Sequence, residues 1–207
     1  SIQKLSKDFS EFEFIFTDSE TLDITNKENV FDFFWQNEPS FCINAAAYTA
    51  VDLAETDVEK AFLVNANGTE NLAEACKEYN AQFIHISTDY VFDGENQLPY
   101  TEDDFTNPIG VYGASKLSGE ELALEVNPCT VILRTSWVYS EFGKNFVKTM
   151  LNLFAIKEEL GIVADQFGQP TNANDLAQAI MKIINSEKIT PGIFNFSNAG
   201  KISWFDF

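Results

Sequence analysis

The run Phe83-Ile84-His85-Ile86-Ser87-Thr88-Asp89-Tyr90-Val91-Phe92 decides the fold. Its first part is apolar, free of breakers and about as long as a strand covered on both faces. Ser87 and Thr88 then bring two hydroxyls to the carboxyl end of that strand. In open α/β sheets the ligand crevice lies outside this end. Working outward, short apolar runs at Phe12 to Thr17, Phe41 to Ala46, Thr130 to Trp137 and Gly192 to Ser197 alternate with longer helix-like segments. That alternation is the pattern of a parallel sheet flanked by helices.

The helices have their own signals. Thr25 followed by Glu28 reads as a capping box, opening a helix that must end before Pro39. Thr56 and Glu59 repeat the signal ahead of a helical stretch reaching Tyr79. Asn65-Ala66-Asn67-Gly68-Thr69 interrupts that stretch, and Gly68 weakens a helix interior by ~1 kcal/mol relative to alanine. A close approach to a neighbour is the expected compensation. From Asp89 to Pro108 the chain is polar and broken by Asp93-Gly94, Pro99 and Pro108, a long loop after a strand, which in a compact domain is usually functional. Further helices are predicted from Gly110 to Val126, Lys144 to Phe154 and Asn174 to Asn185.

The chain has 207 residues, 45% of them hydrophobic, enough for one domain with a real core. A formal net charge of −19 would repel polyanions over most of the surface. That argues against nucleic acid or an anionic membrane as a partner. No apolar stretch is long enough to span a bilayer, and Ser1 to Asp8 carries no apolar core of a signal peptide, so a cytoplasmic protein is expected. Cys42, Cys76 and Cys129 are far apart, odd in number and set in apolar segments, which reads as small core residues rather than disulfides or a zinc site. His85, the single histidine, lies inside the buried strand and reads as structural. Arg134, the single arginine, follows Val131-Ile132-Leu133 and either pairs with a carboxylate or faces a substrate phosphate.

Tyr112-Gly113-Ala114-Ser115-Lys116 sets a phenol and an ammonium one helical turn apart. A nearby ammonium favours phenolate, drawing a tyrosine from its usual ~10 toward the working range for proton transfer. Alone this spacing is weak, since surface helices contain it by chance. It gains weight beside Thr88 at a strand end, whose own bland reading is a turn-forming residue. A third segment, Asn44-Ala45-Ala46-Ala47-Tyr48-Thr49-Ala50-Val51-Asp52, closes an earlier strand with small side chains. Such a segment suits either a flat ligand lying close to the backbone or a tight strand–helix junction.

Taken together, Asn44 to Glu55, Ser87 to Gly94, Val111 to Glu120 and Arg134-Thr135-Ser136-Trp137-Val138-Tyr139 resemble the dTDP-4-dehydrorhamnose reductase family of extended short-chain dehydrogenases. Asp165-Gln166-Phe167-Gly168-Gln169-Pro170-Thr171 and the region of Trp204 resemble its later segments. The resemblance implies a Rossmann-like doubly wound parallel sheet with a small C-terminal substrate-binding portion. It divides the chain into an NAD(P)-binding region, residues 1–138, and a mixed sheet-completing and substrate-binding region, residues 139–207. The implied reaction is hydride reduction of the C4 ketone of dTDP-4-dehydro-L-rhamnose to dTDP-L-rhamnose. Thr88, Tyr112 and Lys116 would be catalytic: Tyr112 donates a proton, Lys116 holds the nicotinamide ribose and tunes Tyr112, and Thr88 hydrogen-bonds the reacting carbonyl. Asp23, Ile24, Ala45, Ala46 and Thr49, with Tyr112 and Lys116, would line the cofactor. Thr88, Tyr90 and Trp137 would meet the sugar nucleotide.

For the cofactor, Asp18 at the end of Phe12 to Thr17 suits a ribose 2′-hydroxyl and so NADH, while Lys27 leaves NADPH open. The resemblance makes magnesium possible, but no metal site can be assigned from these residues. A homodimer is compatible with the resemblance. The sequence shows neither the family's first strand nor its glycine-rich phosphate loop, and it stops soon after Trp204, which reads as a truncated or incompletely represented member. The alternatives are another nucleotide-sugar enzyme of this type, an epimerase or dehydratase, or a non-catalytic NADP-binding regulator similar to the methionine adenosyltransferase beta subunit.

Overall fold

The computed structural model describes all residues, Ser1–Phe207. In chain order the helices are α1 (Ile2–Leu5), α2 (Lys27–Asn37), α3 (Val51–Ala54), α4 (Val58–Phe62), α5 (Gly68–Glu78), α6 (Val111–Val126), α7 (Phe146–Phe154) and α8 (Ala173–Ile184). The strands are β1 (Phe41–Asn44), β2 (Gln82–Thr88), β3 (Val131–Thr135), β4 (Val138–Tyr139), β5 (Phe167–Gly168), β6 (Thr171–Asn172), β7 (Gly192–Asn195) and β8 (Ile202–Ser203). No helix is long and apolar enough to cross a membrane.

The chain packs as two compact units. One comprises Phe16–Arg134 and Lys188–Asn195. Its sheet runs in the order β1-β2-β3-β7, with β1 parallel to β2 and β3 parallel to β7. β3 is buried along its whole length, as a central parallel strand must be. Helices α2 and α5 bury Val30, Phe34, Leu72 and Cys76 with Phe83 and Ile24 in one apolar cluster. The other unit comprises Ser1–Ile15, Thr135–Glu187 and Phe196–Phe207. It holds two short strand pairs, β4 with β6 and β5 with β8. Asn145 and Asn172 cap α7 and α8 by accepting from Lys148 N and Asn174 N.

Several expectations need correction. Phe12 to Thr17 joins no sheet, although Phe12 and Phe14 are half-buried and meet edge to face at 6.3 Å. An alternating apolar pattern makes a strand only where a neighbour completes the ladder. Helix α2 is capped by Asn26, whose side chain accepts from Asn29 N, and not by Thr25. The Thr25 hydroxyl instead donates to Asp23 Oδ1 at 2.7 Å, closing a turn that a carboxylate competes for well. Thr56 likewise donates to Leu53 O, and Asp57 stands at the start of α4. Of the cysteines, Cys76 is buried and Cys42 partly so, but Cys129 is exposed.

The interruption before α5 is a five-residue π-turn, Leu63–Asn67. Gly68 follows it, and a Cβ there would stand 2.8 Å from the Ile24 side chain, the close approach expected of that glycine. The long loop after β2 begins as a single 3-10 turn at Asp89–Val91. It is then pinned to β7, where Glu102 Oε1 accepts from Asn195 N at 2.7 Å. Within it the Phe92 and Tyr100 rings stack at 4.3 Å.

Candidate active site

β2 delivers Thr88 to the carboxyl edge of the sheet, and α6 lays its buried face, Gly113, Lys116, Glu120 and Ala123, beside that strand. The spacing of three and four residues makes this one stripe of the helix. Gly110 is the N-cap residue of α6, and Glu55 Oε1 accepts from Val111 N at 2.8 Å, bringing a carboxylate to the positive end of the helix. Gly113 has no room for a side chain, because a Cβ there would lie 2.2 Å from Tyr90 O. The helix therefore presses directly on the turn that follows Thr88.

This approach brings Thr88, Tyr90 and Tyr112 together. The Thr88 hydroxyl stands close enough to the Tyr112 phenol to favour its ionised form. Its oxygen also accepts from Tyr90 N at 3.2 Å and it contacts Asp89 Oδ1 at 3.2 Å. The Tyr90 ring meets Tyr112 edge to face at 5.5 Å, while Tyr90 stays 43% exposed and so reachable by a ligand. Burial pushes the Tyr112 phenol up to about 12, an effect that the nearby Thr88 hydroxyl opposes and the Asp89 charge reinforces. Burial also raises the Asp89 carboxyl to about 6, against the hydrogen bond from Thr88.

The expected lowering of Tyr112 by Lys116 is not what the structure shows. Lys116 is 2% exposed, and its Nζ donates to Ile86 O at 2.7 Å and meets His85 Nε2 at 3.2 Å. The Lys116 amino group is drawn down onto β2, so burial dominates the phenol. Burial also lowers Lys116 itself to about 8, with Glu120 opposing. His85 is fully buried, which holds its imidazole well below the usual histidine range, with the Lys116 charge adding to the effect. It bridges Asn44 and Lys116, in keeping with its reading as a core residue.

Asn65 was not singled out from the sequence. From the π-turn its Oδ1 accepts from Tyr48 N at 2.8 Å, and its Nδ2 donates to Tyr48 O at 3.1 Å and to Ser115 Oγ at 2.9 Å. It thus ties the segment after β1 to α6. Asn-Ala-Asn-Gly inside a helical stretch was its only trace, and a π-turn at such a place often marks a functional site. Ala45, Ala46 and Thr49 on that segment are exposed. Asp23 is exposed, but Ile24 is buried in the core cluster, so Ile24 reaches a ligand only through its backbone. Asp18 Oδ1 is occupied by Glu20 N and by Thr21, which leaves the carboxylate held in a turn. Lys27 is paired with Glu74.

Arg134 resolves toward the carboxylate. Its Nε and Nη2 donate to Glu120, the shortest contact being 2.6 Å, and its guanidinium lies over the Phe92 ring at 5.1 Å. Trp137 belongs to the other unit. It has φ of 46°, a conformation that costs a bulky residue energy. Its ring stacks on Trp204 at 3.6 Å, and Gly168 makes room for it, since a Cβ there would sit 2.4 Å from the indole. No three His, Cys, Asp or Glu side chains converge as a metal site would require.

A parallel α/β sheet carrying a hydroxyl at a strand end, with a tyrosine and a lysine one turn apart on the adjoining helix, defines the short-chain dehydrogenase class of nucleotide-dependent enzymes. Within that class the chain belongs to the RmlD substrate binding domain family, whose model matches residues 2–207. It is 46% identical over 211 residues to dTDP-4-dehydrorhamnose reductase of Aggregatibacter actinomycetemcomitans, covering 100% of this chain and 72% of that protein. The corresponding reductase of Sinorhizobium fredii is 49% identical over 174 residues, covering 82% of this chain and 59% of that protein. A crystal structure of dTDP-4-dehydrorhamnose reductase from Bacillus anthracis in complex with NADP superposes with a TM-score of 0.94 at 40% identity, covering 99% of this chain and 73% of that one.

Proposed function

We propose that the protein reduces the C4 ketone of dTDP-4-dehydro-L-rhamnose to dTDP-L-rhamnose, using NADH or NADPH. The observation that carries the reading is the gathering of Thr88, Tyr90 and Tyr112 at the end of β2, with Lys116 buried against the same strand. The relatives named dTDP-4-dehydrorhamnose reductase support the substrate. Residues 1–138 are read as the cofactor-binding region and 139–207 as the sheet-completing and substrate-binding region. A cytoplasmic location and a homodimer are part of the same proposal, to be tested by cell fractionation and by sedimentation.

The residues fit a dinucleotide. Ala45, Ala46 and Thr49 are exposed and short, so a flat ligand can lie against the backbone behind β1, with Asp23 open to solvent nearby in sequence to the core residue Ile24. When bound, the nicotinamide supplies hydride to the C4 carbon of the ketone. Thr88 is assigned to the carbonyl oxygen as a hydrogen-bond donor, where it counters the developing negative charge. Tyr112 keeps its proton throughout the neutral range because burial disfavours phenolate, and so it is a proton donor to that oxygen. Lys116 is assigned to the ribose through the N–H bonds that Ile86 O does not take. Tyr90, half open beside Tyr112, and Trp137 are assigned to the sugar nucleotide.

The test is turnover of dTDP-4-dehydro-L-rhamnose, followed by cofactor absorbance and by product analysis. Net oxidation of NADH or NADPH with formation of the C4 alcohol supports the proposal. Isomerisation or dehydration of a nucleotide sugar without net cofactor oxidation would assign one of the sister activities instead. Tight binding without turnover would point to a regulator.

A further inference from the structure

Beneath Lys116 runs a buried chain of polar groups whose protons cannot all be placed independently. The backbone N–H of Ala46 only donates, so the Asn44 group that meets it at 3.0 Å is the amide oxygen. The amide nitrogen of Asn44 is then the partner of His85 Nδ1 at 3.1 Å, with a longer contact to Thr69 Oγ1 at 3.3 Å. A nitrogen that receives this bond carries no hydrogen. In a neutral imidazole the proton therefore sits on Nε2, the atom that faces Lys116 Nζ at 3.2 Å. An N–H can donate to an amine, which has a lone pair. It cannot donate to an ammonium, which has none.

We propose that Asn44, His85 and Lys116 form a proton-linked positioning relay, in which the charge on Lys116 selects the tautomer of His85 and the tautomer selects which end of the Asn44 amide faces Ala46. With Lys116 as an amine, every bond of the chain is satisfied: Nζ donates to Ile86 O and accepts from Nε2–H, while Asn44 holds the Ala46 N–H. When Lys116 gains a proton, Nε2 must become an acceptor, the imidazole proton moves to Nδ1, and Asn44 turns its oxygen toward it. The Ala46 N–H then loses its partner. His85 stays neutral in both states, as its complete burial requires.

The surroundings leave this chain in control of its own protons. From α6 itself, Glu120 acts on Lys116, and Glu120 is already bound by Arg134 of β3. β2 contributes only His85 as a titratable neighbour, while β1 and α5 contribute the neutral Asn44 and Thr69. Tyr112, on the turn before, remains protonated. The consequence for catalysis rests on the reductase reading: Ala46 is on the segment assigned to the cofactor, so the proton on Lys116 is felt at that segment without direct contact. The relay itself does not rest on that reading.

His85 is the single histidine, so its two ring nitrogens can be followed by ¹⁵N NMR without ambiguity. The whole chain, labelled at histidine and along the backbone, is titrated across pH ~6 to ~10, which brackets the value of about 8 for Lys116. The expected result is a neutral ring with its proton on Nε2 at the alkaline end and on Nδ1 at the acid end. The Ala46 amide signal should move with the same midpoint. In Lys116→Met the proton should remain on Nε2 throughout, because Asn44 is never forced to turn. A wild-type ring that keeps one tautomer across the range overturns the proposal, as does one that charges to imidazolium. So does a tautomer change that persists in Lys116→Met. The wild-type titration decides the matter even if that variant fails to fold, and neither measurement depends on enzymatic turnover.

Discussion

Gly113→Ala is the substitution for which the structure gives the clearest magnitude. A Cβ at this position would stand 2.2 Å from Tyr90 O and 3.0 Å from a Pro108 side-chain atom. Carbon and carbonyl oxygen meet comfortably at about 3.3 Å or more, so helix and turn must separate by roughly 1 Å. Backbone lies on both sides of the close contact, and no rotamer change can absorb it. Overpacking of this kind costs about 1–3 kcal/mol, and a chain of this size loses about 2–4 °C of Tm per kcal/mol. The same displacement moves Tyr112 relative to Thr88, and a misplacement of ~1 Å at a reacting centre can cost ~10²-fold in rate. Calorimetry and steady-state kinetics on the complete protein therefore should show a modest fall in Tm with a large fall in kcat. An alanine variant that keeps native kcat and native Tm would refute the claim that the helix rests directly on the Tyr90 carbonyl.

Tyr112→Phe should lower kcat by ~10² to 10⁴-fold with cofactor affinity little changed, as measured by kinetics alongside calorimetric titration, because only the proton donor is removed. Glu120→Gln should cost about 3–5 kcal/mol in urea denaturation, since it leaves the Arg134 guanidinium, 4% exposed, without its countercharge; an unchanged midpoint would contradict the pairing. Lys116 is lowered to about 8 from 10.5, so the unfolded chain binds more protons between those values and wild-type stability rises with pH there. The stability advantage of Lys116→Met over wild type should accordingly shrink by about 3 kcal/mol from pH 8 to 10.5, read from denaturation at both ends. Trp137→Ala should raise KM for the sugar nucleotide more than it lowers kcat, with Tm recorded to separate lost contact from lost packing.

The sequence was legible where burial alone decides structure. β3 falls inside its apolar run and β2 starts one residue before its own, because central strands covered on both faces need continuous hydrophobicity, while the edge strands β1 and β7 fall inside theirs although only partly buried. Phe12 to Thr17 has an equally persuasive pattern but no strand, since a ladder depends on a neighbour and not on the segment itself. The cap of α2 shifted from Thr25 to Asn26 for a similar reason: which of two adjacent polar residues turns toward the helix depends on Asp23, which claims Thr25. At the site, Thr88 and Tyr112 could be placed in advance, one at a strand end and the other on the following helix. The direction of Lys116 could not, because helical spacing sets which face a side chain occupies and not what it reaches. Asn44 and Asn65 were hidden more deeply, as isolated amides look alike until the groups they bridge are known.

The grip of Asn65 on Tyr48 has a further consequence for which sequences this scaffold tolerates. One amide bonds both the N–H and the C=O of Tyr48, much as a neighbouring strand would, and so it acts as a single rung of sheet supplied by a side chain. The bonds are to main chain only. Residues on the segment from 45 to 50 can therefore exchange side chains without losing this anchor, subject to the bulk a bound ligand would admit. Asn65 has no such freedom: shortening or lengthening its side chain by one methylene would misplace both bonds at once. Diversity in ligand preference can thus accumulate on the exposed loop while the residue that holds it stays out of sight inside a helix.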